Sequence, residues 1–345
     1  MPPPLPILQP AWALPGARVS LSYEHLPSPV DGPPHVFVGG EQARVTAASA
    51  HVIRFVVPPE LPGGSLVVRL EGVPLGAEAP RSIDDGAPLI VGRTLTTGIH
   101  QVDNPIFDDT GRLYVTHSGS RDTRVPVPLY RIGMDGVREP LAVEVPNPTS
   151  FARSPDGSIF ISSRFDGQVF KLTADDRAEV YATELGMATG LACAPDGTLF
   201  VGDRSGSILR VSPDRQVDTF ASLPPSVAAF HLAFGPDNCL YVTAPTLGTR
   251  DTVYRITPDR LVDVAYTGFG RPQGLAFDSA GMLYVVEALA GAAGLYRLDP
   301  RATSPIPELV VSAPSLVGVA FSPLGGMALA SNDTIWMLDV TLEAE

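Results

Sequence analysis

One phrase, repeated at a nearly fixed interval from Asp103 onward, limits what this chain can fold into more than any other feature. It reads NPIFDDTGRLYVT, SFARSPDGSIFIS, GLACAPDGTLFVG, HLAFGPDNCLYVT, GLAFDSAGMLYVV and, in degenerate form, GVAFSPLGGMALA. The turn positions are Gly111, Gly157, Gly197, Asn238, Gly281 and Gly325, spaced 46, 40, 41, 43 and 44 residues apart. Each copy joins an apolar strand to a second one through a turn whose residues favour chain reversal. The second strand is rich in aromatic and β-branched residues, which suit a pleated surface. A third follows in Leu129-Tyr130-Arg131-Ile132, Val169-Phe170-Lys171-Leu172, Ile208-Leu209-Arg210-Val211, Val253-Tyr254-Arg255-Ile256 and Leu295-Tyr296-Arg297-Leu298. A fourth, shorter and more polar, is exemplified by Glu179-Val180-Tyr181.

A period of about 40–45 residues with four short strands per repeat predicts a β-propeller, here of six blades. The sixth copy runs out after its third strand, Thr334-Ile335-Trp336-Met337-Leu338. Its fourth strand is expected from upstream of the first repeat, where Pro88-Leu89-Ile90-Val91 is available; closing the ring in this way removes two exposed sheet edges. Residues 1–82 follow a different pattern. Val19 to Tyr23, Val36 to Val38, Ala43 to Thr46, Val52 to Val57 and Leu66 to Leu70 read as short strands separated by Gly and Pro, a small β-sandwich. The expected fold is therefore all-β, a sandwich over 1–82 and a propeller over 83–345. The 33 glycines and 36 prolines punctuate short elements, because 44% hydrophobic residues are ample for a core.

The net charge of −13 opposes a phosphate backbone or an anionic bilayer, so neither nucleic acid nor membrane is an expected partner. Lys171 is the one lysine. Two cysteines, Cys193 and Cys239, are too few for a disulfide scaffold and read as free thiols. The first residues, MPPPLPILQP, lack a basic start and an apolar run, which predicts a cytoplasmic protein.

Strand order predicts which residues surround one mouth of the channel. The position opening each inner strand lies eight residues before the turn: Asp103, Thr149, Thr189, Phe230, Gln273 and Val317, with Asn104, Asn147 and His231 beside it. A second set lies just past the second strands: His117, Ser118, Arg121, Asp122, Arg164, Asp166, Asp203, Arg204, Arg250, Asp251 and Glu287. Arginine offers planar donors to an anionic or polyhydroxyl ligand. The same Arg/Asp pairs could equally pin neighbouring loops to one another. His231 and Asp103 are the candidate catalytic groups. Arg164, Asp203, Arg204, His117, Gln273, Glu287 and Asn147 are the candidate ligand-binding groups, for a small polar molecule or a protein at the mouth.

The phrases GRPQGLAFDSAGMLYVVE, ATGLACAPDGTLFVGDRSGSILRV and NPTSFARSPDGSIFISSRFDGQVFKL resemble the gluconolactonase/senescence-marker-protein superfamily and the overlapping NHL-repeat propellers. The N-terminal run of VFVGG followed by VIRFVVPPELPGGSLVVRL resembles an IPT/TIG immunoglobulin-like domain. The first resemblance implies lactone or ester hydrolysis, with Asp103 as metal ligand or base, His231 assisting, and Arg164 or Arg204 on the substrate. It also implies one divalent cation (Ca, Mn or Zn) at the mouth, held from the opening positions. Asp103 stands where the family has a glutamate, whereas Thr149, Thr189, Phe230 and Gln273 occupy the later positions. That set is poor in carboxylates for a hard cation. The alternative function is a non-catalytic propeller that binds a ligand or protein, with the sandwich as spacer.

Overall fold

The computed structural model describes residues 7–23, 34–71, 88–119 and 125–339. Among them every regular element is a β-strand, and no helix is long and apolar enough to cross a membrane. The six repeated phrases each build a four-stranded antiparallel meander, and the six positions read as turns all have positive φ, from 60° at Asn238 to 96° at Gly325. Glycine and asparagine tolerate that region, which explains why those residue types recur there.

The innermost strands are Ile106–Phe107, Pro148–Arg153, Ala188–Cys193, His231–Phe234, Pro272–Phe277 and Gly318–Phe321. Each packs against the next, and the last packs against the first, so they form a closed cycle. The fold is a β-propeller. Its apolar side chains fill the spaces between successive meanders; one such cluster joins Phe200 and Ile208 to Phe230, Leu232 and Val242 of the following meander.

The cycle is closed by an N-terminal strand, but not by the one expected. Arg93–Thr97 pairs antiparallel with Thr334–Leu338 and completes the sixth meander. Leu89–Val91 instead lies between Trp12–Ala13 and Gly64–Leu66. Burial explains the difference: Leu89 and Val91 point into the N-terminal core with Val19, Val36 and Phe55, whereas Leu95 joins Ile335 and Met337. The run read as one strand from Leu66 to Leu70 is also two. Gly64–Leu66 and Val68–Glu71 belong to different sheets, with Val67 exposed between them.

The N-terminal strands form a six-stranded sheet in the order Ile7–Gln9, Arg18–Ser22, Val52–Val56, Glu41–Ala48, His35–Val38, Val68–Glu71. The boundary expected at residue 82 lies outside the described residues. Trp12–Ala13 leaves this sheet and pairs in parallel with Glu308–Ser312, the outer strand of the fifth meander. Leu14 N–H to Ser312 O (2.9 Å) and Ser312 Oγ to Arg18 O (2.7 Å) extend the seam. Pairing covers an edge that would otherwise be open.

Both cysteines are free thiols. Burial pushes each up to about 11, because the thiolate is the form that loses hydration. The thiolate fraction at pH 7.5 is then about a hundredfold below that of an unperturbed cysteine. Iodoacetamide labelling of the native protein is expected to be slower than that of the urea-unfolded chain by about that factor, and to rise with pH up to about 11. Equal rates in the two states would contradict the burial of these thiols.

Candidate functional site

The six opening positions are all buried, so the mouth leads to a packed ring rather than an open shaft. Two members of that ring meet across it. Asp103 precedes the first inner strand and His231 begins the fourth, three steps apart in either direction around the cycle. Asp103 Oδ1 nevertheless lies 2.6 Å from His231 Nδ1. The pair therefore spans the channel. His231 Nε2 continues to Gln273 Oε1 at 3.1 Å, on the fifth inner strand. Exposure is 0% for His231, 2% for Asp103 and 8% for Gln273, so both imidazole nitrogens are engaged inside protein.

Local sequence explains why Asp103 reaches the centre. The first inner strand is only two residues long, which leaves the preceding segment free to turn inward. Gln101 Nε2 donates to Asp103 O (2.8 Å), and Gln101 Oε1 accepts from Thr116 N–H (2.8 Å). Asn104 then braces three meanders: its Nδ2 donates to Leu275 O (2.8 Å) and its Oδ1 accepts from Val319 N–H (2.9 Å). In two blades a hydroxyl on the second strand ties it to the next inner strand, Ser162 Oγ to Thr189 O (2.9 Å) and Thr243 Oγ1 to Gln273 O (2.5 Å). Sequence reasoning named Asn104 only as a neighbour and did not see these ties. The hydroxyl at the end of LYVT and IFIS was their one visible signal.

Of the sequence-predicted residues, His231, Asp103 and Gln273 are brought together. Most of the other polar candidates tie their loops to the backbone of nearby loops. Glu287, 2% exposed, accepts N–H bonds from Gly270 (2.6 Å), Arg271 (2.9 Å) and Leu289 (2.7 Å). Asp203 accepts from Met187 N–H (2.8 Å) and from the Ser205 hydroxyl. Arg204 donates to Ser226 O (3.2 Å) and Val227 O (2.6 Å), and Arg164 reaches Gly119 O (3.4 Å). Arg121 and Asp122 lie outside the described residues. Asp251, also in the predicted set, binds Thr246 through its backbone N–H and hydroxyl.

Two polar atoms near the first and second meanders are spare. Asn147, 6% exposed and at φ 44°, leaves its buried Oδ1 without a hydrogen-bond partner among the described residues, and so does His117 Nδ1. Asn147 borders a hollow of about 160 Å³ with Pro128, Glu144 and Pro146. His117 packs at a tilt against Tyr130, ring centroids 5.9 Å apart, and donates its backbone N–H to Pro128 O.

The opening positions do not fit a divalent cation. Asp103 is turned to His231, and Thr189 Oγ1 is spent on Gly202 O (3.1 Å) and Phe230 N–H (3.0 Å). Phe230 supplies no donor atom. Among the described residues no group of three or more His, Cys, Asp or Glu side chains could hold a metal. A hard cation requires several converging oxygens, and here the one carboxylate is already hydrogen-bonded to His231.

No family model and no curated protein matches the chain. Solved structures do. A protein of unknown function from Bacteroides thetaiotaomicron is 13% identical, with a TM-score of 0.58 and 98% of each chain covered. An auxiliary nutrient binding protein from Bacteroides ovatus is 11% identical, with a TM-score of 0.55 and again 98% of each chain covered. A gluconolactonase from Xanthomonas campestris is 18% identical, with a TM-score of 0.57, over 72% of this chain and 89% of that one. At these identities the likeness is one of fold.

Proposed function

We propose that this chain is a ligand-binding protein: a six-bladed propeller of gluconolactonase-like fold over 83–345, carrying an immunoglobulin-like module of IPT/TIG type over 1–82. It recognises a small polar molecule or a protein at the mouth. The observation that carries this reading is His231, wholly buried with one nitrogen engaged across the channel and the other on the next inner strand. A general base must reach the proton it removes, and this imidazole reaches none from solvent. The spare Asn147 Oδ1, on a residue that borders the hollow between blades one and two, supplies a polar atom for a ligand there. Likeness over the full length to a nutrient binding protein supports the same reading, since the gluconolactonase likeness leaves out more than a quarter of the chain. Fold by itself does not carry function.

A second reading, hydrolysis of a lactone or related ester, draws on the carboxylate–imidazole pair itself, the arrangement that orients a histidine base. It requires the mouth to open and expose His231. Metal analysis of purified protein, paired with a glucono-δ-lactone hydrolysis assay across added Ca²⁺, Mn²⁺ and Zn²⁺, separates the two. The binding reading expects no turnover above buffer and no stoichiometric metal. Turnover that disappears in His231→Gln would overturn it in favour of the hydrolase.

A further inference from the structure

On the face opposite the mouth, the boundary between the second and third blades breaks a charge pattern seen in the blades on either side. In each of the first five blades a cation on the third strand stands directly across from a carboxylate on the fourth: Arg131–Glu139, Lys171–Glu179, Arg210–Asp218, Arg255–Asp263 and Arg297–Glu308. Four of these close into ion pairs, at 2.6, 2.8, 3.7 and 2.7 Å. Lys171 and Glu179 do not, and among the described residues Lys171 forms no ion pair. Its Nζ lies over the Phe160 ring instead, 5.9 Å from the centroid.

The turn between third and fourth strands repeats the exception. Its left-handed residue is Asp176 in the second blade, Arg215 in the third and Arg260 in the fourth. Asp176 pairs back to Arg131 of the first blade (3.0 Å), and Arg260 pairs back to Asp218 of the third (2.7 Å). Arg215 faces the second blade, forms no ion pair among the described residues, and rests 5.1 Å over Tyr181. Where both ladders fail, a groove of about 490 Å³ opens between blades two and three, bordered by Lys171, Arg215, Phe160, Tyr181, Asp156 and Asp196.

We infer that this groove is a second ligand site, separate from the mouth, for a small hydroxylated anion such as a sugar carboxylate or a sugar phosphate. An aromatic face attracts a cation without cancelling its charge, so Lys171 and Arg215 remain able to bind an anionic group. Tyr181, half-buried, packs against Phe160 and holds the Arg215 guanidinium at the groove. Asp196 spends Oδ1 on Thr198 N–H (2.9 Å) and leaves Oδ2 to accept a ligand hydroxyl. Asp156 is held down to about 2, first by the Ser154 hydroxyl, so it stays ionised. Two rim carboxylates disfavour a ligand with more than one anionic group.

Isothermal titration calorimetry of the full chain at low ionic strength tests this, with D-glucuronate, glucose 6-phosphate and neutral glucose as probes. At least one anion is expected to bind saturably, and glucose far more weakly. Lys171→Gln and Arg215→Asn should each weaken that binding about tenfold, as loss of one charge-assisted contact does. Asparagine suits the left-handed backbone at position 215, so that variant folds. Arg210→Gln removes an equal charge from a closed pair and should leave the affinity unchanged. Binding of the uronate alone identifies a carboxylate site, and binding of the phosphate alone a phosphate site. Absence of saturable binding, equal affinity for glucose, or equal weakening by Arg210→Gln would overturn the inference.

Discussion

Replacement of His231 by alanine is expected to lower the melting temperature by roughly 10 °C. The substitution leaves the Asp103 carboxylate in the centre of the channel, 2% exposed and without its partner. Breaking a buried pair in this way costs about 3–5 kcal/mol, chiefly through the stranded charge, and for a domain of this size each kcal/mol moves the midpoint by roughly 2–4 °C. Adding Asp103→Asn to His231→Ala should recover part of the loss, because a neutral amide is cheaper to bury than a carboxylate. Differential scanning calorimetry of the two variants makes the comparison. A midpoint within 2 °C of the parent for the single variant would mean that the pair is solvated and that the channel is open.

Asn104→Ala should be nearly as damaging, although this residue touches no predicted ligand. The side chain satisfies Leu275 O and Val319 N–H, one on the fifth inner strand and one on the sixth, from a segment that belongs to the first. Alanine strands both backbone groups, at about 1–3 kcal/mol each, or roughly 2–6 kcal/mol together. Urea denaturation should report this as a lower midpoint with an unchanged slope, the mark of lost native stability without a change in exposed surface. An unchanged midpoint would show that water replaces the asparagine freely. The close fit has a correlate in the fifth phrase: a Cβ at Gly274 would fall 2.1 Å from Asn104 Oδ1, so the glycine of GRPQGLAF is fixed by this side chain from the first blade.

Much of the architecture was legible because its causes are local. The positions Gly111, Gly157, Gly197, Asn238, Gly281 and Gly325 announced their turns through residue type, and their spacing announced the repeat. The third strands lie where Leu129 to Ile132 and its counterparts placed them, with ends shifted by at most two residues. The closing strand was harder. Leu89-Ile90-Val91 and Arg93–Thr97 are both short and strand-like, and nothing within either segment says which core its side chains enter. Leu89 and Val91 found the N-terminal core, and Leu95 found the space beside Met337.

The candidate site divides in the same way. Repeat phase was enough to mark Asp103, Gln273 and His231 as residues near the axis. It could not separate them from Glu287 or Asp203, whose carboxylates turn back to backbone N–H groups of nearby loops. An acidic residue after a strand looks the same in sequence whether it faces a ligand or ties a loop. Nor could Lys171 and Arg215 be read as spare cations, since their missing partners are defined only by what the neighbouring blades do.

The amino-acid sequence by itself determined an all-β repeat protein, the phase of each repeat, and the residues that open each inner strand. These follow from periodicity, turn chemistry and strand propensity, all of which act over a few residues. Only the tertiary structure decided which upstream strand closes the ring and that Asp103 and His231, 128 positions apart, meet across it. Contacts of that kind exist only once the cycle of inner strands is closed, because closure brings opposite blades within hydrogen-bonding reach.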